Sequence, residues 1–347
     1  VLTSYKRSAI NTRKQKVKCS KKTGIALFWT VAVIIAAIIV VHDNQLADPQ
    51  DELVKKIISC GVILASCLIF TRFYDKITVL PKELYQNRRL IWKLSKNDFK
   101  KRYAGSYLGA LWALAQPVVT VVMYWFVFDR IFGQKGQMLA GGAELPYVLF
   151  LTAGLVPWFF FTEALTSGTM ALLEYNYLVK KVVFKISILP IVKVIAAVFI
   201  HLFFVAVMLI VAAIYGIYPT IYTIQLLYYS FCLFILVLAL CYSTCAIVVF
   251  FRDLAQIINI LLQVGMWATP ILWNMDDVLK DSPTLQTIIK INPLVYIVNG
   301  YRSALCEKQW FFEDFYSTMY FWIITVVLFG IGAMIFKRLK VHFADVL

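Results

Sequence analysis

ILPIVKVIAAVFIHLFFVAVMLIVAAI, from Ile188 to Ile214, runs for 27 residues with only two ionisable side chains, Lys193 and His201. As an α-helix rising about 1.5 Å per residue it is about 40 Å long, more than the roughly 30 Å hydrocarbon core of a bilayer. It reads as a membrane span. Ionisable groups are costly in hydrocarbon and usually face a bundle interior or a cavity. His201 lies mid-span and reads as a packed, hydrogen-bonded residue. Glu163, in the preceding apolar run, is an available partner for Lys193.

Apolar runs recur on both sides. They cover 108–132, 146–168, 224–250, 256–273 and 317–336, and each can cross a bilayer, 256–273 only just. Upstream, two shorter runs, 25–41 and 57–71, flank a polar loop and read as a helical hairpin. Of the 347 residues, 61% are hydrophobic and 15% charged, with mean hydropathy +0.77. A soluble domain is about half apolar and about a quarter charged, so a soluble enzyme and a disordered chain are both excluded. The fold expected is an all-α polytopic membrane protein. Pro117, Pro157 and Pro190, within or at the edges of spans, predict kinks or discontinuities.

The net charge of +15 follows the spans. With eight spans and the N-terminus inside, 26 Lys and Arg fall on the inner side and 8 on the outer. This is the positive-inside bias, with both termini cytoplasmic, and not a nucleic-acid surface. The seven cysteines form no CxxC pair, and most lie in apolar runs as small packing residues. No metal site is expected.

Four regions carry chemistry. In the basic segment 84–103, Arg89, Lys93, Lys96 and Lys100 share one helical stripe, with Leu84, Ile91, Trp92, Phe99 and Tyr103 opposite. A basic amphipathic helix just before a span lies in the membrane interface. The stripe is a solvated face near anionic headgroups, a site capturing a phosphate-bearing lipid headgroup, or a docking surface for a cytosolic partner. The inner loop 169–187 holds Glu174, Tyr175, Asn176, Leu178, Lys180, Lys181 and Phe184, and is a polar connector or a coupling helix seated in a partner. The chain has 26 Phe, 19 Tyr and 9 Trp. Interfacial belts claim most of them. Trp112, Tyr124, Trp125 and Trp267 are candidates to line a conduit, where aromatic faces stack on sugar C–H faces. The outer segment 274–316 has apolar stretches too short to span, broken by Asn292-Pro293, so it is a folded outer loop or a re-entrant exit gate.

Catalytic motifs are missing. The sequence holds no GxxxxGK[ST], HExxH or GxSxG pattern, so no catalytic residue is assigned and any ATP must be bound elsewhere.

Several segments together resemble one family. RYAGSYLGALWALAQP (Arg102–Pro117), FFRDLAQIIN (Phe250–Asn259), ATPILW (Ala268–Trp273), NPLVYIVNGYRSAL (Asn292–Leu305) and the terminal HFADVL resemble the polysaccharide-exporting permeases of the type-2 ABC exporter superfamily. EKQWFFEDF near Trp310 is similar to the teichoic-acid branch. One departure is Lys185 after Phe184, where the family usually has proline.

The resemblance covers about residues 84–347. It implies a six-span permease core over 104–347, preceded by the interface helix 84–103, an extra hairpin 25–71 and a basic tail 1–24. It also implies a homodimer with two ATP-binding cassette subunits that hold ATP and Mg2+, no cofactor on this chain, and a polymer on an undecaprenyl (pyro)phosphate lipid. Residues implied for coupling are Tyr175, Asn176, Leu178, Lys181, Phe184, Arg252 and Asp253; for the exit gate, Pro270, Asn292, Pro293 and Arg302. An exporter of drugs or small lipids, and a membrane glycosyltransferase or acyltransferase, are the alternatives.

Overall fold

The computed structural model describes residues 21–41, 49–102, 112–133, 137–138, 144–180, 185–306 and 310–347. The chain divides into two compact units, 1–86 and 87–347.

The first unit is a pair of long helices, α1 (Lys21–Val41) and α2 (Pro49–Ile77). One seam joins them. Phe28 stacks on Phe70 with centroids 4.1 Å apart, and the Trp29 indole N–H donates to Thr71 Oγ1 at 3.0 Å. Gly24 lies against Tyr74, whose hydroxyl a Cβ there would overlap. Away from the seam, Val33, Ile34, Ile38, Leu64 and Leu68 are exposed. Such faces demand hydrocarbon around them. Helix α2 runs beyond the predicted 71 and leaves helical geometry at Phe73. Helix α3 (Val79–Arg102) begins in this unit and from Asn87 belongs to the second.

The second unit is built around α5 (Tyr147–Thr169), which is buried along most of its length. Helices α8 (Leu189–Ile214), α9 (Gln225–Val248), α10 (Leu254–Ala268) and α13 (Pro293–Cys306) pack on it, as does α4 (Trp112–Trp125). Helix α14 (Phe315–Leu339) lies along α9. In lipid, helices gain nothing from leaving an apolar solvent, so close approach through small residues supplies the attraction. Gly168 faces Cys241, Gly300 faces Tyr229, and Gly332 sits against the Ala239 carbonyl. In each case a Cβ would collide. Cys241 and Cys245 are buried, as packing residues should be.

Short elements complete the unit. Helices α6 (Ala171–Glu174) and α7 (Asn176–Val179) follow α5. Helices α11 (Met275–Val278) and α12 (Pro283–Lys290) precede α13. Helix α15 (Phe343–Val346) ends the chain, with Phe343 buried against Phe250 and Phe336. Strands β1 (Gln137–Met138) and β2 (Glu144–Leu145) make a two-residue antiparallel pair.

Among the described residues, six helices are long and apolar enough to cross a membrane: Lys21–Val41, Glu52–Asp75, Tyr147–Thr169, Ile186–Ile214, Ile221–Val248 and Phe315–His342. The protein is therefore an all-α, multi-pass membrane protein. Helix α4 continues into a π-helical turn, Phe126–Ile131.

The run 256–273 departs from expectation. Its helix, α10, has 15 residues and is about 22 Å long, short of a bilayer core. Thr269 is extended at φ −95°, ψ 134°, because a residue preceding proline is pushed out of the helical region. Residues 269–272 then turn inward and are buried. The prolines do less than predicted. Pro190 sits at the first turn of α8, where its missing N–H costs nothing, and α4 and α5 run through Pro117 and Pro157 as single helices.

Candidate functional site

Helix α3 presents two faces. At 100° per residue, Ile91, Ser95 and Asp98 point opposite to Arg89, Lys93, Lys96 and Lys100. The first three are buried and the four basic residues are exposed. Ser95 donates to the Val192 carbonyl at 3.0 Å, and Trp92 and Phe99 pack their rings on Phe199 of α8. The contact face of α3 in this unit is thus partly polar. Tyr103, placed on the apolar face by the sequence pattern, lies outside the described residues.

Asp98 reaches the strongest polar cluster of the unit. Lys193 Nζ lies 2.7 Å from Asp98 Oδ1 and 2.5 Å from Glu174 Oε2. The Tyr175 hydroxyl donates to Asp98 Oδ1 at 2.8 Å, and the ammonium sits 5.1 Å from the centre of the Tyr175 ring. Lys193 is 2% exposed, so the paired charges are what make its burial tolerable. Burial first, and then the Asp98 carboxylate, push the Tyr175 hydroxyl well above the ordinary tyrosine range. The cluster fastens three segments together: α3, the α6–α7 segment and the start of α8. The Glu163–Lys193 pairing does not form. Glu163 accepts instead from Ser167 Oγ at 3.0 Å, one turn along α5, and Asp98 and Glu174 take the lysine because both lie at its end of the bundle.

The coupling candidates are dispersed around this cluster. Tyr175 is inside it. Asn176 is exposed and Leu178 half-buried on α7, while Lys181 and Phe184 lie outside the described residues. Arg252 and Asp253 form the exposed turn between α9 and α10, at the same end of the unit. Neither bonds to the 170–180 segment among the described residues.

The aromatic candidates do not share one lining. Trp112 borders a cavity of about 320 Å3 with Thr120, Phe159, Glu163, His201 and Phe204. His201 is buried, its Nε2 hydrogen-bonded to Tyr301 at 2.9 Å and Ser230 at 3.2 Å. Tyr124 turns toward Met266 of α10, Trp125 stacks with Arg130, and Trp267 is exposed, its carbonyl accepting from the Trp273 indole.

The segment 274–316 is tied down by hydrogen bonds. Asn292 caps the first turn of α13 through the Leu294 N–H at 3.0 Å and donates to Thr269 Oγ1 at 2.9 Å. Pro293 opens α13, and Pro270 is buried in the turn after α10. Tyr147 donates to the Leu272 carbonyl at 2.9 Å. Tyr228 and Tyr296 share a hydrogen bond, Tyr296 shares another with Thr318, and the Trp322 indole donates to Tyr228. Arg302 is 6% exposed. Its Nη2 donates to the Ile271 carbonyl at 2.9 Å and its Nε to the Phe150 carbonyl at 3.4 Å, with the guanidinium 3.5 Å from the centre of the Phe150 ring. A cavity of about 570 Å3 opens beside it.

Sequence reasoning placed Glu174 in the 169–187 segment without a partner, and missed Ser95, Asp98 and the tyrosine network of α9, α13 and α14. One signal was present. Asp98 is the only acid between Leu84 and Tyr103, and Lys193 the only lysine or arginine between Ile188 and Ile214.

The profile of the family described as ABC-2 type transporter matches residues 89–306. The chain is 29% identical over 266 residues to an O-antigen export system permease protein, RfbA, of Myxococcus xanthus, covering 77% of this chain and 98% of that protein. It is 27% identical over 262 residues to a protein of the same description from Klebsiella pneumoniae, covering 74% and 95%.

Proposed function

The chain belongs to the ABC-2 type transporter family, and from that membership we propose that it is the membrane-spanning subunit of an ATP-driven exporter of a cell-surface glycopolymer. The polymer rides on an undecaprenyl (pyro)phosphate lipid, and wall teichoic acid or a related polysaccharide is the substrate class. The names of the similar proteins support polysaccharide export, and the terminal HFADVL and the segment near Trp310 support the teichoic-acid branch. The subunit sits in the bacterial cytoplasmic membrane with both termini inside. It works as a homodimer with two ATP-binding cassette subunits, which bind the ATP and Mg2+.

The cluster of Asp98, Glu174, Tyr175 and Lys193 carries the mechanism. A cassette subunit seated on the α6–α7 segment moves Glu174 and Tyr175. Through Lys193 and Asp98 the same motion reaches α8 and α3, because separating this buried pair is costly. Helix α3 carries Arg89, Lys93, Lys96 and Lys100 at the inner headgroup level, where each basic residue adds about 1 kcal/mol of attraction to an anionic surface. The pyrophosphate is gathered there and the sugars follow, with Trp112, Tyr124, Trp125 and Trp267 offered to them as stacking surfaces. The segment 274–316, with Pro270, Asn292, Pro293 and Arg302, re-enters the outer leaflet and gates the exit.

The test is reconstitution in proteoliposomes with the cassette subunit. ATP hydrolysis should rise with undecaprenyl-diphosphate-linked polymer and not with free polymer or small amphiphilic drugs. Stimulation by drugs alone would make the chain a small-molecule exporter. Single cysteines at Tyr175 and Leu178 should crosslink to the cassette subunit; crosslinks confined to α1 and α2 would remove the coupling role from 169–187.

A further inference from the structure

At the end of the second unit where α5, α9 and α14 begin, a cavity of about 570 Å3 is walled by α12, α13 and the start of α14. That volume is in the range of small-molecule sites. Its deepest cation is Arg302. A guanidinium carries five N–H donors and a charge that never leaves it near neutral pH. Here it meets neutral groups: the carbonyls of Ile271 and Phe150, Asn299 Oδ1 at 3.5 Å, and the face of the Phe150 ring. No carboxylate lies within ion-pair distance among the described residues, and a buried charge without a counter-ion is costly. The surroundings are nonetheless shaped for it. A Cβ on Gly154 would stand 3.1 Å from Ile271 Cγ2 and 3.2 Å from Arg302 Nη2, a tight fit that the glycine avoids.

The rest of the wall is mixed. Asn299 faces the cavity beside Nη1, and Lys290 stands exposed at its edge. Among the described residues of the lining, Asp314 is the single acid beside Lys290 and Arg302, and their formal charges sum to plus one. Trp310 and Tyr316 supply aromatic surface. A neutral sugar would leave Arg302 without a counter-ion. Inorganic phosphate would leave the rings unused. A glycosyl phosphate uses both, with its phosphate oxygens toward Arg302 and Lys290, its hydroxyls toward Asn299 and Asp314, and its C–H face on an aromatic ring.

We infer that this cavity is a sugar-phosphate site, which holds one phosphorylated saccharide unit of the polymer at the outer end of the permease. The inference rests on the export reading for its biological ligand, but not for its chemistry.

The experiment is calorimetric titration of the full chain, with its cassette subunit, in nanodiscs of zwitterionic lipid. Probes are α-D-glucose 1-phosphate, glucose, inorganic phosphate and farnesyl diphosphate. Glucose 1-phosphate should bind at least about tenfold more tightly than glucose or phosphate. Lys290→Gln should weaken it several-fold, Arg302→Lys more, and Asp314→Asn should tighten it. Lys290 and Asp314 are exposed, so these two variants keep the test informative if Arg302→Lys does not assemble. Equal binding of glucose, or no response to Lys290→Gln and Asp314→Asn, would overturn the site. Tighter binding of farnesyl diphosphate would overturn it in favour of a lipid headgroup. Sugar-phosphate binding without polymer-stimulated ATP hydrolysis would leave the site standing and sink the export reading; the reverse pattern would do the opposite.

Discussion

Two buried cations sit at opposite ends of α5. Lys193, beyond its C-terminal end, is held by two carboxylates and a tyrosine ring. Arg302, beside its first turn, is held by two carbonyls, an amide and a phenylalanine ring. The difference lies in what each would leave behind. Without Lys193, the buried Asp98 carboxylate loses a charged partner. Without Arg302, only neutral acceptors lose a partner. The first arrangement is a fastening between segments of the chain. The second keeps a net positive charge in reserve for something that is not part of the chain.

The largest effect is expected from Lys193→Met. Breaking a buried pair by removing one partner costs about 3–5 kcal/mol. The variant should lose most of its thermal stability in detergent, as read by fluorescence-detected size exclusion. Adding Asp98→Leu should recover much of the loss, since a buried pair replaced by apolar groups is often neutral. A single variant as stable as the parent would dissolve the contrast with Arg302.

Arg302→Met should cost less, about 1–3 kcal/mol, the penalty for buried acceptors left unsatisfied. Its melting temperature should fall by less than that of Lys193→Met in the same assay. A larger fall would mean that Arg302 is the main fastening.

Tyr175→Phe sharpens the Lys193 side. It removes one hydrogen bond to a carboxylate, about 1.5 kcal/mol. The Tyr175 hydroxyl ionises above the ordinary tyrosine value of 10.0, first because of burial and then because of Asp98. The neutral form is therefore favoured in the folded state. Its contribution is complete below pH 10 and is lost as pH rises through the higher folded value. Stability against pH from 9 to 11.5 should show an alkaline decline in the parent that is shallower in Tyr175→Phe. Superimposable curves would remove Tyr175 from the cluster.

The smallest change in stability is expected when Arg89, Lys93, Lys96 and Lys100 all become Gln, because exposed substitutions away from special features are nearly neutral. Flotation with anionic vesicles should nonetheless weaken, and the parent's advantage should shrink with salt. A marked loss of stability would place these four in a packed contact.

The helices were legible because lipid leaves the backbone few choices. A run such as 188–214 must satisfy its amides internally, so its length and apolarity announce a helix. The two faces of α3 were half legible: period and charge located the basic stripe, but the opposite face was read as apolar when it carries Ser95 and Asp98. Proline before a turn was legible in principle at Thr269-Pro270, yet hydropathy carried the span past it to 273.

The sequence by itself determined that this chain is helical and membrane-embedded, and that its core carries an ABC-2 transporter domain. The first follows from composition and period along single segments, the second from several motifs that resemble one family in order and from the profile over residues 89–306. Only the tertiary structure decided which acid Lys193 meets. It passes over Glu163 for Glu174, 19 residues away, and Asp98, 95 residues away, and periodicity says which way a side chain points but not which helix stands opposite. It also decided that Arg302 would be buried without an acid. That depends on carbonyls from residues 150 and 271 and on the missing Cβ of Gly154 converging in space, which no local pattern records.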